Sequence, residues 1–338
     1  ELADTVEGTA DARARGAVDS LRTLAHGKLR YFIANPEALA AVDAYFKSPP
    51  DYLAHEYLGD SWELFYSVDV AQEMAEAALS FVGSATLADN HPLLVIDDAA
   101  AEALASLRTP RQRQLAADFA ANRRFRRDVF IRGPFEPMAP EHAPYLGASL
   151  VGSYTPEQLS ATVRVPRGHI SFQPEFIERL RALLERGPMP LAQLAIALAG
   201  QGSGAPQSEA LRNLLLLLAA GALQPFANVC DSSLHARPTA FANSTVAKIA
   251  AYVIETGESR ALPSRILGYG LELRPLEAVI VREFLADAPD VPTLTKRVLA
   301  VASDSPFLRD CAVSSRTALV AAAIREILPR MIRLHLIV

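Results

Sequence analysis

A chain of 338 residues is too long for one ordinary core, since a second core becomes favourable beyond about 100–200 residues. With 50% hydrophobic and 21% charged residues it has the make-up of packed globular modules, which excludes disorder. A net charge of −5 excludes a general attraction to nucleic acid or anionic lipid and leaves only a local basic patch to provide one.

In chain order, residues 10–25 place Val18, Leu21 and Leu24, with Ala14 and Ala17, at helical spacing. Asn35-Pro36-Glu37 reads as an N-cap followed by proline in the first turn, opening a helix with Leu39, Val42 and Phe46 on one face. Ser48-Pro49-Pro50-Asp51 ends that helix, and the short segment Tyr52–Leu58 follows. A long helix is expected from about Val68 to Val82, burying Val70, Met74, Ala77, Ala78 and Phe81. Two more span 97–107 and 110–122, the second turning Leu115 and Phe119 inward, and 125–131 alternates as a strand does.

A module boundary is placed near residue 145, among several prolines. Beyond it, 149–154 and 161–165 extend around the helix-like Pro156-Glu157-Gln158. Three short helices, 174–185, 190–199 and 208–219, precede an extended stretch at 222–226, which is the outline of a winged helix. Helices return at 245–256, 274–285, 293–302 and 314–332. The expected class is mainly α with small β elements (α+β): a helical regulatory-like module at 1–145, a β-linker and winged-helix-like module at 146–230, and a helical C-terminal module at 231–338. No internal repeat or low-complexity tract is present.

No stretch reaches the roughly 18 apolar residues needed to cross a bilayer, and no basic-then-apolar leader opens the chain. Cys230 and Cys311 belong to no metal-spaced cluster, which suits reduced thiols in a cytoplasmic protein. The first residue is Glu1, so the expectation is a chain that begins partway into a longer gene product.

Asp51-Tyr52-Leu53-Ala54-His55-Glu56-Tyr57-Leu58, then Phe65 and Leu79-Ser80-Phe81-Val82-Gly83-Ser84-Ala85, resembles the predicted methyltransferase regulatory domain. That family shows a Tyr-Leu-x-His-Glu-Tyr-Leu core and a closing Leu-x-Tyr-Leu-x-x-Ala, and here Phe81-Val82 replaces the Tyr-Leu pair. Asp118-Phe119, Asn122-Arg123-Arg124-Phe125-Arg126-Arg127 and Arg132 look like its basic stretch. The resemblance spans roughly residues 10–135. In the family this domain usually follows a Rossmann-type methyltransferase domain and is similar to the middle part of lysine methyltransferases acting on bacterial outer-membrane proteins. It implies a regulatory or substrate-docking portion of an S-adenosylmethionine-dependent methyltransferase. It supplies no catalytic, cofactor or metal residue in this chain, S-adenosylmethionine being implied for a catalytic domain upstream in cis or supplied in trans. The docking candidates it leaves are Tyr52, His55, Glu56, Tyr57, Arg123, Arg124, Arg126 and Arg127, facing a methyltransferase domain or a protein substrate, with no nucleic-acid or membrane partner. The rival reading is a stand-alone protein-interaction module without enzymatic activity.

Three other features invite chemistry. Gly200-Gln201-Gly202-Ser203-Gly204 reads as a cofactor loop if 194–199 is a strand, with Asp231 as the ribose acid. Leu191, Leu194, Ala195 and Leu198 instead fall at i, i+3, i+4 and i+7, which favours a helix and a flexible loop. His55-Glu56 begins a zinc signature, yet Gly59 stands where the second histidine belongs, so His55 is expected to pack in a helical corner. A base-reading helix needs several basic or amide side chains; residues 208–220 offer Arg212 against Glu209 and a run of leucines, and are expected to be buried. The arginines at 123–127, with Arg108, Arg111 and Arg113 upstream, read either as a surface for an acidic partner or as groups paired with nearby carboxylates.

Overall fold

The computed structural model describes residues 2–27, 29–45, 48–59, 63–123, 125–135, 142–199, 207–229, 238–302, 308 and 311–338. The chain is mostly helical with small antiparallel sheets, an α+β protein, and divides into two compact units, Glu1–Val70 and Ala71–Val338.

In the first unit Thr9 caps α1 (Ala10–His26), its side chain accepting from the Ala12 N–H, which satisfies one of the donors a helix start leaves open. α2 (Arg30–Ala34) ends at Asn35, and α3 (Pro36–Tyr45) opens on the proline read from sequence. Proline also opens α4 (Pro50–Tyr57), where a missing N–H costs nothing. Ala14, Ala25, Val42 and Leu53 are buried in these helices, and α1 packs along α4. Phe46 lies outside the described residues.

Helix α5 (Ser67–Glu76) is shorter than its periodicity predicts. The chain leaves it through Ala78 at φ +59° and enters β1 (Leu79–Ser84), paired antiparallel with β2 (Asp128–Arg132). Phe81 and Val82 suit a pleated surface better than a helix, and the cross-strand partner decides the competition. Ala77 and Ala78 are therefore exposed in the turn, where a continuous helix would have buried them. Between the strands lie α6 (Pro92–Val95), α7 (Asp98–Ala105) and α8 (Pro110–Ala120). A capping box between Thr109 and Gln112 starts α8, and Phe119 is exposed instead of turned inward.

After α9 (Ala143–Ala148), β3 (Leu150–Gly152) forms the centre of a three-stranded sheet. The hairpin of β4 (Thr162–Val165) and β5 (Gly168–Ser171) leads to α10 (Pro174–Leu184). β6 (Met189–Pro190) runs into α11 (Leu191–Ala199), followed by α12 (Gln207–Ala219) and β7 (Gln224–Phe226). Pro225 sits in the edge strand β7, where a proline removes no ladder bond from the interior. Ile177, Leu180, Leu184, Leu191, Leu194, Leu198, Leu214 and Leu217 close one core.

α13 (Ser244–Thr256) is capped by Asn243 and ends at Gly257 with φ +71°. The hairpin of β8 (Arg260–Pro263) and β9 (Gly270–Leu273) follows. α14 (Pro275–Asp287), α15 (Val291–Ala302) and α16 (Val313–Arg333) complete a second core that includes Val246, Leu273, Ile280, Leu294, Val320 and Ile327. No helix among the described residues is long and apolar enough to cross a membrane.

Candidate docking site

Tyr52, His55, Glu56 and Tyr57 lie on α4 in the first unit. Leu53 is its buried anchor; Tyr52 and His55 are exposed, and Glu56 and Tyr57 are half-buried. His55 thus points to solvent instead of packing in a helical corner. Ala17, Val18 and Leu21 of α1 face Leu53, Tyr57 and Leu58 across an apolar cleft of about 230 Å³. The motif therefore uses Leu53, Tyr57 and Leu58 to build the wall of a cleft.

The arginines lie in the second unit, and the structure separates their roles. Arg123 and Arg126 are only 12% and 13% exposed and meet Asp118, itself 15% exposed, through ion pairs of 3.0 and 2.9 Å. Arg126 also pairs with Asp128 at 3.0 Å, while Arg123 reaches Asp89 at 3.4 Å and donates to the Asp89 carbonyl at 3.0 Å. Burial pulls the Arg126 pKa down, but the hydrogen bonds and charges of Asp118 and Asp128 outweigh it and raise the value above normal. Its guanidinium covers the Phe81 ring at 5.5 Å, and Phe81 meets Phe130 edge-on at 5.8 Å across the strands. Asp118 and Phe119 are neighbours on α8, so turning the carboxylate toward two buried guanidinium groups turns the phenyl ring out. Arg127 differs: it is exposed and donates to the Thr86 hydroxyl at 3.0 Å. Arg124 lies outside the described residues.

A second polar cluster had no signal in sequence. Tyr154, just past β3, and Tyr269, from the β8–β9 connection, bring their hydroxyls to 3.0 Å. Arg330 of α16 covers the Tyr154 ring at 5.3 Å and pairs with Glu326 at 2.5 Å. Burial and then the Tyr269 hydrogen bond push the Tyr154 pKa up. Glu277 nearby is 6% exposed and accepts from the Arg274 N–H at 2.8 Å; burial raises its pKa. Tyr154, Tyr269 and Arg330 thus join the segment after β3, the β8–β9 connection and α16.

Among the described residues no group of three His, Cys, Asp or Glu side chains could hold a metal. The stretch that a cofactor-loop reading needs as a strand is helix α11; Gly200 to Gly204, Asp231 and Cys230 lie outside the described residues. α12 buries Ala210, Leu214 and Leu217, so the helix that would have to read bases is committed to the core.

Comparison with known proteins places these features. Residues 49–132 match the family described as "Predicted methyltransferase regulatory domain". The match begins at the turn before α4 and ends with β2, a narrower span than the 10–135 suggested by the motifs, and it contains both the α4 segment and the arginines. An uncharacterized protein of Synechocystis sp. is 28% identical over 281 residues, covering 82% of this chain and 54% of that protein; the chain thus spans about half the length of this curated relative. Two structures of PKMT2 from Rickettsia typhi share the fold. One has a TM-score of 0.50 at 17% identity, covering 96% of this chain and 68% of that one. The other, in complex with AdoHcy, has a TM-score of 0.53 at 15% identity, covering 99% and 70%.

Proposed function

We propose that this chain is the regulatory and substrate-docking portion of an S-adenosylmethionine-dependent methyltransferase that acts on a protein, with its cofactor domain supplied in cis upstream or in trans. The match of residues 49–132 to the regulatory-domain family carries the reading. The likeness of almost the whole chain to 68–70% of PKMT2, a protein solved with AdoHcy, agrees with it. In this reading the chain has three modules, the middle one, α10–α12 followed by β7, being winged-helix-like, and it works in the cytoplasm. It carries no catalytic residue and no cofactor of its own. Tyr52, His55, Glu56 and Tyr57 of the first unit, and Arg123, Arg124, Arg126 and Arg127 of the second, serve docking. Arg123 and Arg126 do so by shaping the surface, Arg127 by touching the partner.

Arg127 is exposed and, among the described residues, its side chain bonds the Thr86 hydroxyl alone, so its reversal costs little stability, within about 1 kcal/mol, while changing the rate and salt dependence of an encounter. In the full-length methyltransferase, Arg127→Glu combined with Tyr52→Ala is expected to leave the melting temperature nearly unchanged and to raise KM for the protein acceptor. Unchanged acceptor kinetics at low salt would overturn the assignment of these two residues to docking.

A further inference from the structure

The two edges of the β1–β2 ribbon differ at the Ser84 end of β1. On β1, the outward backbone of Ser84 is closed by one side chain: its N–H donates to Asn90 Oδ1 at 2.8 Å, and its carbonyl accepts from Asn90 Nδ2 at 2.8 Å. Gly83 makes room for this, since a Cβ there would lie 2.9 Å from Asn90 Oδ1. An amide that mimics a neighbouring strand is an effective way of blunting an edge.

No such cover lies over β2. The Gly133 N–H bonds to the Ala78 carbonyl and the Ala85 N–H to the Arg127 carbonyl. With the register of Ser80 to Ile131 and Gly83 to Val129, residues 127, 129 and 131 point their backbone groups at β1. Asp128, Phe130 and Arg132 point theirs away, and no described residue bonds to them there. The side chains sort by the same alternation. Phe130 and Asp128 face the buried side, against Phe81 and Arg126. Arg127, Val129 and Ile131 share the other, where Val129 and Ile131 are 42% and 39% exposed. Among the described residues neither Arg127 nor Arg132 has a carboxylate partner, whereas Arg123 and Arg126 are neutralised by Asp89, Asp118 and Asp128. The open edge is therefore apolar on one face and flanked by uncompensated positive charge.

We infer that the outer edge of β2 binds an extended acidic segment of a protein partner by strand addition, its main chain pairing with Asp128, Phe130 and Arg132, its apolar side chains covering Val129 and Ile131, one carboxylate meeting Arg127 at the end of that face and another meeting Arg132 on the opposite face. Main-chain pairing supplies affinity in such complexes and alternate side chains supply selectivity. The opposite charge speeds the encounter and makes it sensitive to salt. The inference rests on the docking reading and gives that surface a binding mode.

The test uses the full chain and a short capped peptide with two valines at alternate positions, a glutamate ending the valine row opposite Arg127 and glutamates on the other face toward Arg132, read by fluorescence anisotropy at low salt and by amide hydrogen exchange. The expected result is saturable binding, weakened about tenfold by Arg127→Glu with Arg132→Glu and by replacing the peptide's glutamates with lysine. Binding should vanish when alternate peptide amides are N-methylated, a change that leaves the protein untouched. Exchange at Asp128, Phe130 and Arg132 should slow when peptide is added, while Val129 and Ile131, already paired to β1, change little. Equal binding of the lysine peptide, indifference to N-methylation, or protection that misses those three amides would each overturn the inference. So would a concentration-dependent dimer abolished by Arg132→Pro, which would show that a second copy occupies the edge. Peptide binding without association to a methyltransferase domain would sink the docking reading alone; association without peptide binding would sink strand addition alone.

Discussion

The leucine core of α10–α12 and the ionic knot around Asp118 are both enclosed, yet opposite chemistry holds them. In the first, Leu180, Leu194 and Leu214 have no exposed surface, and each side chain contributes roughly 1.5–3 kcal/mol by leaving water. In the second, two guanidinium groups meet three carboxylates beneath an aromatic pair. There the cost of removing charge from water cancels much of the attraction, so the net stabilisation is small while the loss of one partner is expensive. An apolar core tolerates imperfect partners, whereas an ionic knot fixes which residues must meet. That specificity serves a two-stranded ribbon, which has too little apolar surface to hold its register alone.

Leu194→Ala is expected to destabilise the chain by roughly 3–5 kcal/mol through lost transfer energy and a residual cavity, measured by urea unfolding. Asp118→Asn should follow at roughly 2–4 kcal/mol, because it removes the carboxylate shared by two arginines that are largely out of water and leaves only Asp89 to Arg123 and Asp128 to Arg126. A loss under about 0.5 kcal/mol would show that water already solvates the knot.

A smaller effect concerns pH. Burial raises the Glu277 pKa above its ordinary 4.5, so the folded chain holds this proton more tightly than the unfolded one. The stability that protonation contributes is complete below that ordinary value and is lost as pH rises through the raised one. Glu277→Gln should flatten the fall in melting temperature across that window while the Arg274 cap stays in place. An identical slope in the variant would assign the pH dependence to other groups.

The same contrast explains what could be read from sequence. The helices α10 to α16 were legible because apolar residues recur at helical spacing between prolines and caps, and their cores enforce that pattern. The helix expected at 68–82 failed where the period cannot distinguish a helical face from Phe81 and Val82 paired across a ribbon. Phe119 failed because Asp118, adjacent to it, has the stronger claim on the interior. The arginine segment was visible as a group, but its division into buried Arg123 and Arg126 and exposed Arg127 depends on Asp89, about thirty residues earlier, and on strand register. The Tyr154–Tyr269 pair joins residues 115 apart in sequence, and local patterning carries no trace of it.

In the proposed function this chain docks and regulates, while another domain binds the cofactor and does the chemistry. Calorimetric titration of S-adenosylmethionine into the purified chain tests it most directly. No saturable heat is expected up to millimolar cofactor, since the stretch before Gly200 is helix α11 and not a strand that could aim a glycine loop at it. A micromolar Kd would contradict the account and place a cofactor site within these 338 residues.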